Sequence, residues 1–256
     1  MKLELFRLKP FMLLRNILST ATVLVWVVVF ISCQSTAQQA TLDNALSNQE
    51  KSIIKIASHT AQGNLSELKD VLHEGLDYKL TVNEAKEVLV HLYAYAGFPR
   101  SIRGLQTLLE VLEERTAKGI DDDWGPEATT IDDSSSKYER GKTILEELVG
   151  RRLDGKPEYQ KFSPEMDRFL KEHLFADIFE RDVLTYKQRE LVTISVIASL
   201  GSLEPMLRSH LNLSLNVGWQ AEQLKEFTET LANTTTEDNV LATKTVLTEV
   251  LKSRTE

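Results

Sequence analysis

Thr81-Val82-Asn83-Glu84-Ala85-Lys86-Glu87-Val88-Leu89-Val90-His91-Leu92-Tyr93-Ala94-Tyr95-Ala96-Gly97-Phe98-Pro99 is the stretch that decides the fold. It opens with a capping box, in which the Thr81 hydroxyl takes a free first-turn N–H and Glu84 reaches back. Ala85, Val88, Leu89, Leu92 and Ala96 then recur at helical spacing and predict one buried face. Gly97-Phe98-Pro99 stops the helix, because proline cannot continue it.

The same grammar extends in both directions. Upstream, Leu65, Leu68, Val71, Leu72 and Leu76 form an apolar helical stripe. Downstream, Ser101 to Arg115 predicts a helix with Ile102, Leu105, Leu108, Leu109 and Leu112 inward. Residues 42–115 thus read as one helical half. Residues 116–141 form a polar, turn-rich connector with Asp121-Asp122-Asp123, Gly125-Pro126 and Asp132-Asp133, in which Trp124 and Ile131 give something to bury. Residues 142–256 form a second helical half. Ser163-Pro164-Glu165 predicts a capped start with proline at the first helical position. Thr185-Tyr186-Lys187-Gln188 is a further capping box, opening a helix with Leu191, Ile194, Ile197 and Ala198 inward. Helices through Leu207, Leu211 and Leu215, then Leu224, Phe227 and Leu231, then Val240, Leu247, Val250 and Leu251 follow. Nothing after the N-terminal segment reads as a strand ladder, and the fold class expected is all-α. With 11 Gly and 6 Pro in 256 residues, a loop-rich β architecture is disfavoured. The net charge of −8 repels phosphate backbones and argues against nucleic acid as a partner.

The two halves share a layout. Ser52-Ile53-Ile54-Lys55-Ile56-Ala57 precedes Gly63-Asn64-Leu65, as Glu190-Leu191-Val192-Thr193-Ile194-Ser195 precedes Gly201-Ser202-Leu203. Leu72, Leu76 and Asp77 align with Leu211, Leu215 and Asn216, and Lys86-Glu87 aligns with Lys225-Glu226. Any two helical hairpins look somewhat alike, but the Gly-x-Leu start and the Lys-Glu match favour a repeat.

On these residues the chain resembles the carboxymuconolactone decarboxylase family, whose fold is shared with alkylhydroperoxidase D. Arg189-Glu190-Leu191, Glu67-Leu68, His210 and the Tyr95-x-Gly97-x-Pro99 helix end match the family's pattern piece by piece. The resemblance implies two alkylhydroperoxidase D-like helical repeats packed as one orthogonal bundle. It implies a homo-oligomer, a trimer for a two-copy chain. It also implies cofactor-free acid–base chemistry, decarboxylation or isomerisation of a small carboxylated or lactone substrate, with lyase character if the chain is an enzyme. Loss of CO2 leaves a dienolate, which wants a hydrogen-bond donor and then a proton. The departures are Val71 at the family's histidine position in the first copy and Met206 at its glutamate position in the second. The peroxidase branch needs Cys-x-x-Cys, whose positions fall on Glu204 and Leu207. A peroxiredoxin-type activity is therefore opposed, because neither side chain replaces a thiolate. The other reading is a non-catalytic binding or scaffold protein.

The candidate catalytic residues are Glu67, His91, Tyr95 and His210. Glu87, His91 and Tyr95 share one helix stripe, so the Glu87 carboxylate is expected to raise and orient the His91 imidazole. The bland alternative is a surface Glu87–His91 pair with Tyr95 packed on a neighbouring subunit. Glu67 and His210, kept in different copies, are expected to face each other as a composite site, unless each is an ordinary helix residue. Arg100, with Arg103 beside it, is a candidate for holding a substrate carboxylate. Glu204 reads as a capping acid. His59, His73 and His173 have no partners at metal-ligand spacing, so no metal is expected.

Residues 1–37 read as an export segment: Lys2, Arg7, Lys9 and Arg15, then a charge-free run to Ser32, then polar sequence. An uncleaved membrane anchor is the alternative. Phe30-Ile31-Ser32-Cys33 resembles a lipobox, which makes Cys33 a candidate lipid anchor, while Ser35-Thr36-Ala37 offers cleavage after Ala37. The expected location is outside a bacterial cytoplasm, periplasmic or lipid-anchored at a membrane. Removal of the segment leaves a net charge of about −11. Cys33 is the only cysteine, so no internal disulfide is expected.

Overall fold

The computed structural model describes residues 45–255, which form helices and connecting turns without a strand among them. The export segment, with Cys33 and Ala37, lies outside the described residues. The helices are α1 (Asn48–Gln62), α2 (Leu65–Asp77), α3 (Val82–His91), α4 (Tyr93–Ala117), α5 (Lys137–Val149), α6 (Glu158–Phe162) and α7 (Pro164–Arg168), followed by α8 (Phe169–Phe179), wound as a π-helix. They continue with α9 (Tyr186–Leu200), α10 (Glu204–Asn216), α11 (Ala221–Leu231) and α12 (Glu237–Ser253). The fold is an all-α bundle. No helix of the described residues is long and apolar enough to cross a membrane.

The boundaries follow from local chemistry. Ser47, Thr81 and Thr185 each cap a helix by reciprocal bonds with Glu50, Glu84 and Gln188, so α1, α3 and α9 begin where capping boxes stand. α4 is broken at Gly97, whose φ of 81° is a backbone state open to glycine at little cost. The α1–α2–α3 run has helices of 15, 13 and 10 residues, and the α9–α10–α11 run has 15, 13 and 11. Gly63 and Gly201, both at positive φ, end the first helix of each run.

α1 and α9 pack together in the core. α9 is buried on every side from Arg189 to Ser199, beyond the Leu191, Ile194, Ile197 and Ala198 face expected. A helix buried all round has no solvated face for charge, so the fully buried Arg189 and Glu190 must find partners inside. Ser199 Oγ donates to Ser58 Oγ at 2.6 Å, and Ser58 Oγ to Thr234 Oγ1 at 2.8 Å, across the α1–α9 contact. A smaller core of Ile144, Leu148, Phe175 and Phe179 fixes α5 on α8. Gly141 allows this close crossing, since a Cβ there would lie 1.8 Å from the Lys171 carbonyl oxygen.

The structure corrects several expectations. Ile102 and Leu109 are exposed rather than inward. α4 instead buries Ser101, Gly104, Thr107, Leu108, Val111 and Arg115, because Gly104 brings the helix so near Leu89 and Thr60 that the small-residue face goes in. Trp124 is exposed, and its backbone rather than its ring does the anchoring. The carbonyls of Asp123 and Trp124 accept from the N–H groups of Val82 and Asn83 at 2.9 and 3.0 Å, which satisfies the free donors of α3. Helix resumes at Lys137, before Lys142, because Ser136 caps it. Ser163 makes no capping bond to α7; its hydroxyl donates to Glu165 instead.

Candidate active site

α3, α4, α9 and α10 bring together Glu87, His91, Tyr95, Arg189, Glu190, Thr193 and His210, in two adjoining networks. The first is a buried ion-pair cluster. Glu87 is fully buried, and its carboxylate accepts from Arg189 Nη2 at 2.8 Å and from Arg181 Nε and Nη2 at 2.9–3.1 Å. Arg189 Nη2 also donates to the Arg181 carbonyl. Arg189 Nη1 faces His91 Nδ1 at 3.2 Å. An arginine only donates, so Nδ1 accepts and the His91 proton sits on Nε2. Nε2 then donates to Thr193 Oγ1 at 2.9 Å, and that hydroxyl donates to the Arg189 carbonyl at 3.0 Å.

This chain of donors overturns the expectation for Glu87 and His91. Glu87 is neither on the surface nor paired with His91; it neutralises two arginines. Burial, together with the charges of Arg189 and His210, holds the His91 pKa well below its ordinary value rather than above it. Both ring nitrogens are engaged inside the protein, so His91 is a neutral link between α3 and α9. Its ring packs edge-on against Phe179, with centroids 5.0 Å apart.

The second network is more open. His210 Nδ1 donates to Glu190 Oε2 at 2.9 Å. Glu190 is fully buried, while the His210 side chain keeps 17% of its exposure. With Nδ1 directed to the carboxylate, Nε2 is left without a protein partner among the described residues. The Tyr95 ring stands edge-on to the His210 ring, with centroids 5.8 Å apart. Burial and the Glu190 charge raise the Tyr95 phenol far above its usual range, so it stays protonated. Tyr95 Oη and Glu190 Oε1 are both buried without a hydrogen bond of ordinary geometry, the Thr193 hydroxyl being the nearby polar group that acts on Tyr95. Buried polar groups without partners are uncommon, and Arg189 Nε in the adjoining cluster is another.

The remaining candidates lie elsewhere. Glu67 is exposed on α2, and its charge acts on His59. The carboxylate against His210 is Glu190, so the composite Glu67–His210 pairing is not what the fold assembles. Arg100 is exposed, with its guanidinium over Gly63; no contact joins it to Tyr95 or His210. Arg103 donates to Gln106 at 2.6 Å. Glu204 lies in the first turn of α10, as a capping acid would. His73 and His173 pair with Glu114 and Asp177. No group of His, Cys, Asp and Glu able to hold a metal ion occurs among the described residues.

Sequence reasoning quoted Arg189-Glu190-Leu191 but gave those side chains no role, and it missed Arg181 and Thr193. The usable signal was an Arg-Glu pair followed by a charge-free run from Leu191 to Leu200, a helix with no charged face, where charge demands a partner.

No curated protein matches the chain. Residues 164–248, from α7 through most of α12, match the family model described as "Carboxymuconolactone decarboxylase family". They carry Arg189, Glu190, Thr193 and His210, so over this segment the chain is similar to that family.

Proposed function

We propose that the Glu190–His210 pair with Tyr95 is a cofactor-free acid–base site. It would act on a small carboxylated or lactone substrate by decarboxylation or isomerisation. The observation that carries the reading is His210 itself. One nitrogen is fixed on a buried carboxylate, and the other is unengaged, on a side chain that keeps part of its exposure. Glu190 orients the imidazole through the Nδ1 hydrogen bond; Nε2 moves the proton. The Tyr95 phenol, held protonated and without a hydrogen bond of ordinary geometry, would donate to the enolate oxygen that develops. The Glu87–Arg189–His91 cluster supports this site by locking α3 to α9, and Thr193 by fixing the His91 tautomer.

The chemistry balances without a cofactor. The carboxylate C–C bond breaks, its electron pair delocalises into the lactone carbonyl, and CO2 leaves. A proton taken from solvent and passed through His210 Nε2 then reaches carbon, so the net change is uptake of one proton and release of CO2. The test is incubation with a panel of unsaturated carboxylated lactones in D2O, followed by NMR. Loss of CO2 or uptake of deuterium at carbon is expected. No exchange with any of them would overturn the reading in favour of a non-catalytic scaffold. That second reading draws on the way the Glu87 cluster fills itself with the protein's own side chains.

Assembly as a trimer and export with attachment through Cys33 belong to the same proposal. Leu200, Leu203 and Met206, exposed around the α9–α10 turn, supply apolar surface for such a contact. Light scattering of the full chain and the mass of its mature N-terminus test these two points.

A further inference from the structure

A second polar cluster, separate from the site above, lies where α5 meets α8. A cavity of about 330 Å³ opens there, lined by Tyr138, Lys142, Leu145, Leu153, Lys156 and Lys171, with Tyr159 and Gln160 at its side. That volume is within the range of small-molecule sites, about 300–1,000 Å³. The lining is unusual for a chain of net charge −8, because three ammonium groups converge on it.

Two of them lie within hydrogen-bond reach of the Asp167 carboxylate. Asp167 is buried, and both of its oxygens are taken. Lys171 bonds Oδ1, while Lys156 and the Tyr138 hydroxyl donate to Oδ2 at 2.5 and 2.8 Å. Burial raises the Asp167 carboxyl, but these three donors outweigh it and hold it down at about 2. Asp167 therefore neutralises one ammonium and has no further capacity. Lys142 reaches Glu146 only at 4.0 Å, and Glu146 also accepts from the Leu153 N–H at 3.0 Å. Lys171 is buried, whereas Lys156 and Lys142 keep about half and a third of their side-chain exposure. The Lys171 and Lys156 ammoniums lie 5.1 and 5.7 Å from the centre of the Tyr138 ring. The aromatic and leucine side chains thus form apolar walls beside a surplus of positive charge.

We propose that this cavity binds a small monoanion with an apolar body, an arylcarboxylate by chemical class. Its carboxylate would meet Lys142 and Lys156, whose ammoniums still have solvent-facing N–H groups. Its ring would lie against Leu145, Leu153 and the tyrosines, where water is displaced at little cost. A polyanion is disfavoured by the acidic remainder of the protein.

The experiment is a titration of the full chain with benzoate, benzamide and inorganic phosphate, followed by calorimetry and by backbone amide NMR. Benzoate is expected to bind with a dissociation constant at or below about 1 mM, with amide shifts concentrated in residues 138–171. Benzamide and phosphate are each expected to bind at least about tenfold more weakly, since one lacks the charge and the other the apolar body. Lys142→Gln and Lys156→Gln should each weaken benzoate about fivefold, as a partly exposed ion pair is worth up to about 1 kcal/mol. No benzoate binding, shifts centred elsewhere, or benzamide binding as tightly as benzoate overturns the proposal. Phosphate binding as tightly as benzoate overturns the apolar-body half of it. The three-ligand comparison decides the matter on the unaltered protein, even where a variant folds poorly.

Discussion

Replacing Glu87 by glutamine is the perturbation whose consequence the structure specifies most fully. The Glu87 carboxylate is fully buried, and so is the Arg189 guanidinium that donates to it. Glu87→Gln keeps the shape and removes the charge. Arg181, with a third of its side chain exposed, can turn toward water. Arg189 cannot; it is left as a buried cation with no anionic partner, held by the neutral Arg181 carbonyl and His91 Nδ1. Breaking a buried pair by removing one partner costs about 3–5 kcal/mol. The glutamine oxygen can still accept one bond from Arg189, which places the expected loss near the lower end, about 3 kcal/mol. For a domain of this size, that corresponds to a fall in Tm of roughly 6–12 °C. Urea denaturation of both proteins at one pH measures it. Glu87→Leu combined with Arg189→Met removes both charges and should recover most of the loss, because an apolar pair of similar volume needs no desolvation. A Glu87→Gln loss under about 1 kcal/mol would refute the reasoning, since it would mean that Arg189 is solvated or otherwise compensated.

Two further perturbations follow from the same kind of argument. His91 is held neutral in the fold with its pKa well below that of the unfolded chain. The unfolded state therefore takes up the extra proton as pH falls, so stability present above about pH 6.5 is lost below it, at up to about 1.4 kcal/mol per pH unit. His59, also lowered by burial, adds to this acid limb. Denaturation midpoints between pH 7 and 5 should show a shallower slope in His91→Gln, and an unchanged slope would count against the neutral-link assignment. Gly141→Ala should destabilise the protein by about 1–3 kcal/mol, although alanine in a helix normally gains about 1 kcal/mol over glycine. The reason is the Lys171 carbonyl oxygen 1.8 Å from where the Cβ would stand, and thermal unfolding reads the sign directly.

What was legible in the sequence was local. Thr81 with Glu84, and Thr185 with Gln188, announce helix starts because the capping partners are three residues apart and need no tertiary context. Gly97 announces a break for the same reason. The candidate site was legible only in its residue types. Tyr95 and His210 do come together, but the carboxylate between them is Glu190, twenty positions before His210 and on another helix. Helical spacing pointed Glu87 at His91, one turn away. The fold instead gives Glu87 to Arg181 and Arg189, 94 and 102 positions along the chain. A buried carboxylate is claimed by the strongest donors that packing delivers, and sequence spacing carries no information about helices that meet only in three dimensions. Ile102 and Leu109 failed in the other direction. Their periodicity is sound, but Gly104 selects a different face of α4 for close packing.

Whether His210 is the group that moves the proton is open to one direct measurement. With a lactone that the unaltered protein decarboxylates or exchanges in D2O, the rate is compared with that of His210→Gln, with Glu67→Gln as the control. The His210 side chain is partly exposed, so the variant is expected to keep its unfolding midpoint within a few degrees. Its rate should fall at least about 100-fold, the ordinary worth of a positioned acid–base group, while Glu67→Gln leaves the rate unchanged. A His210→Gln protein that turns over at the unaltered rate would contradict the central claim.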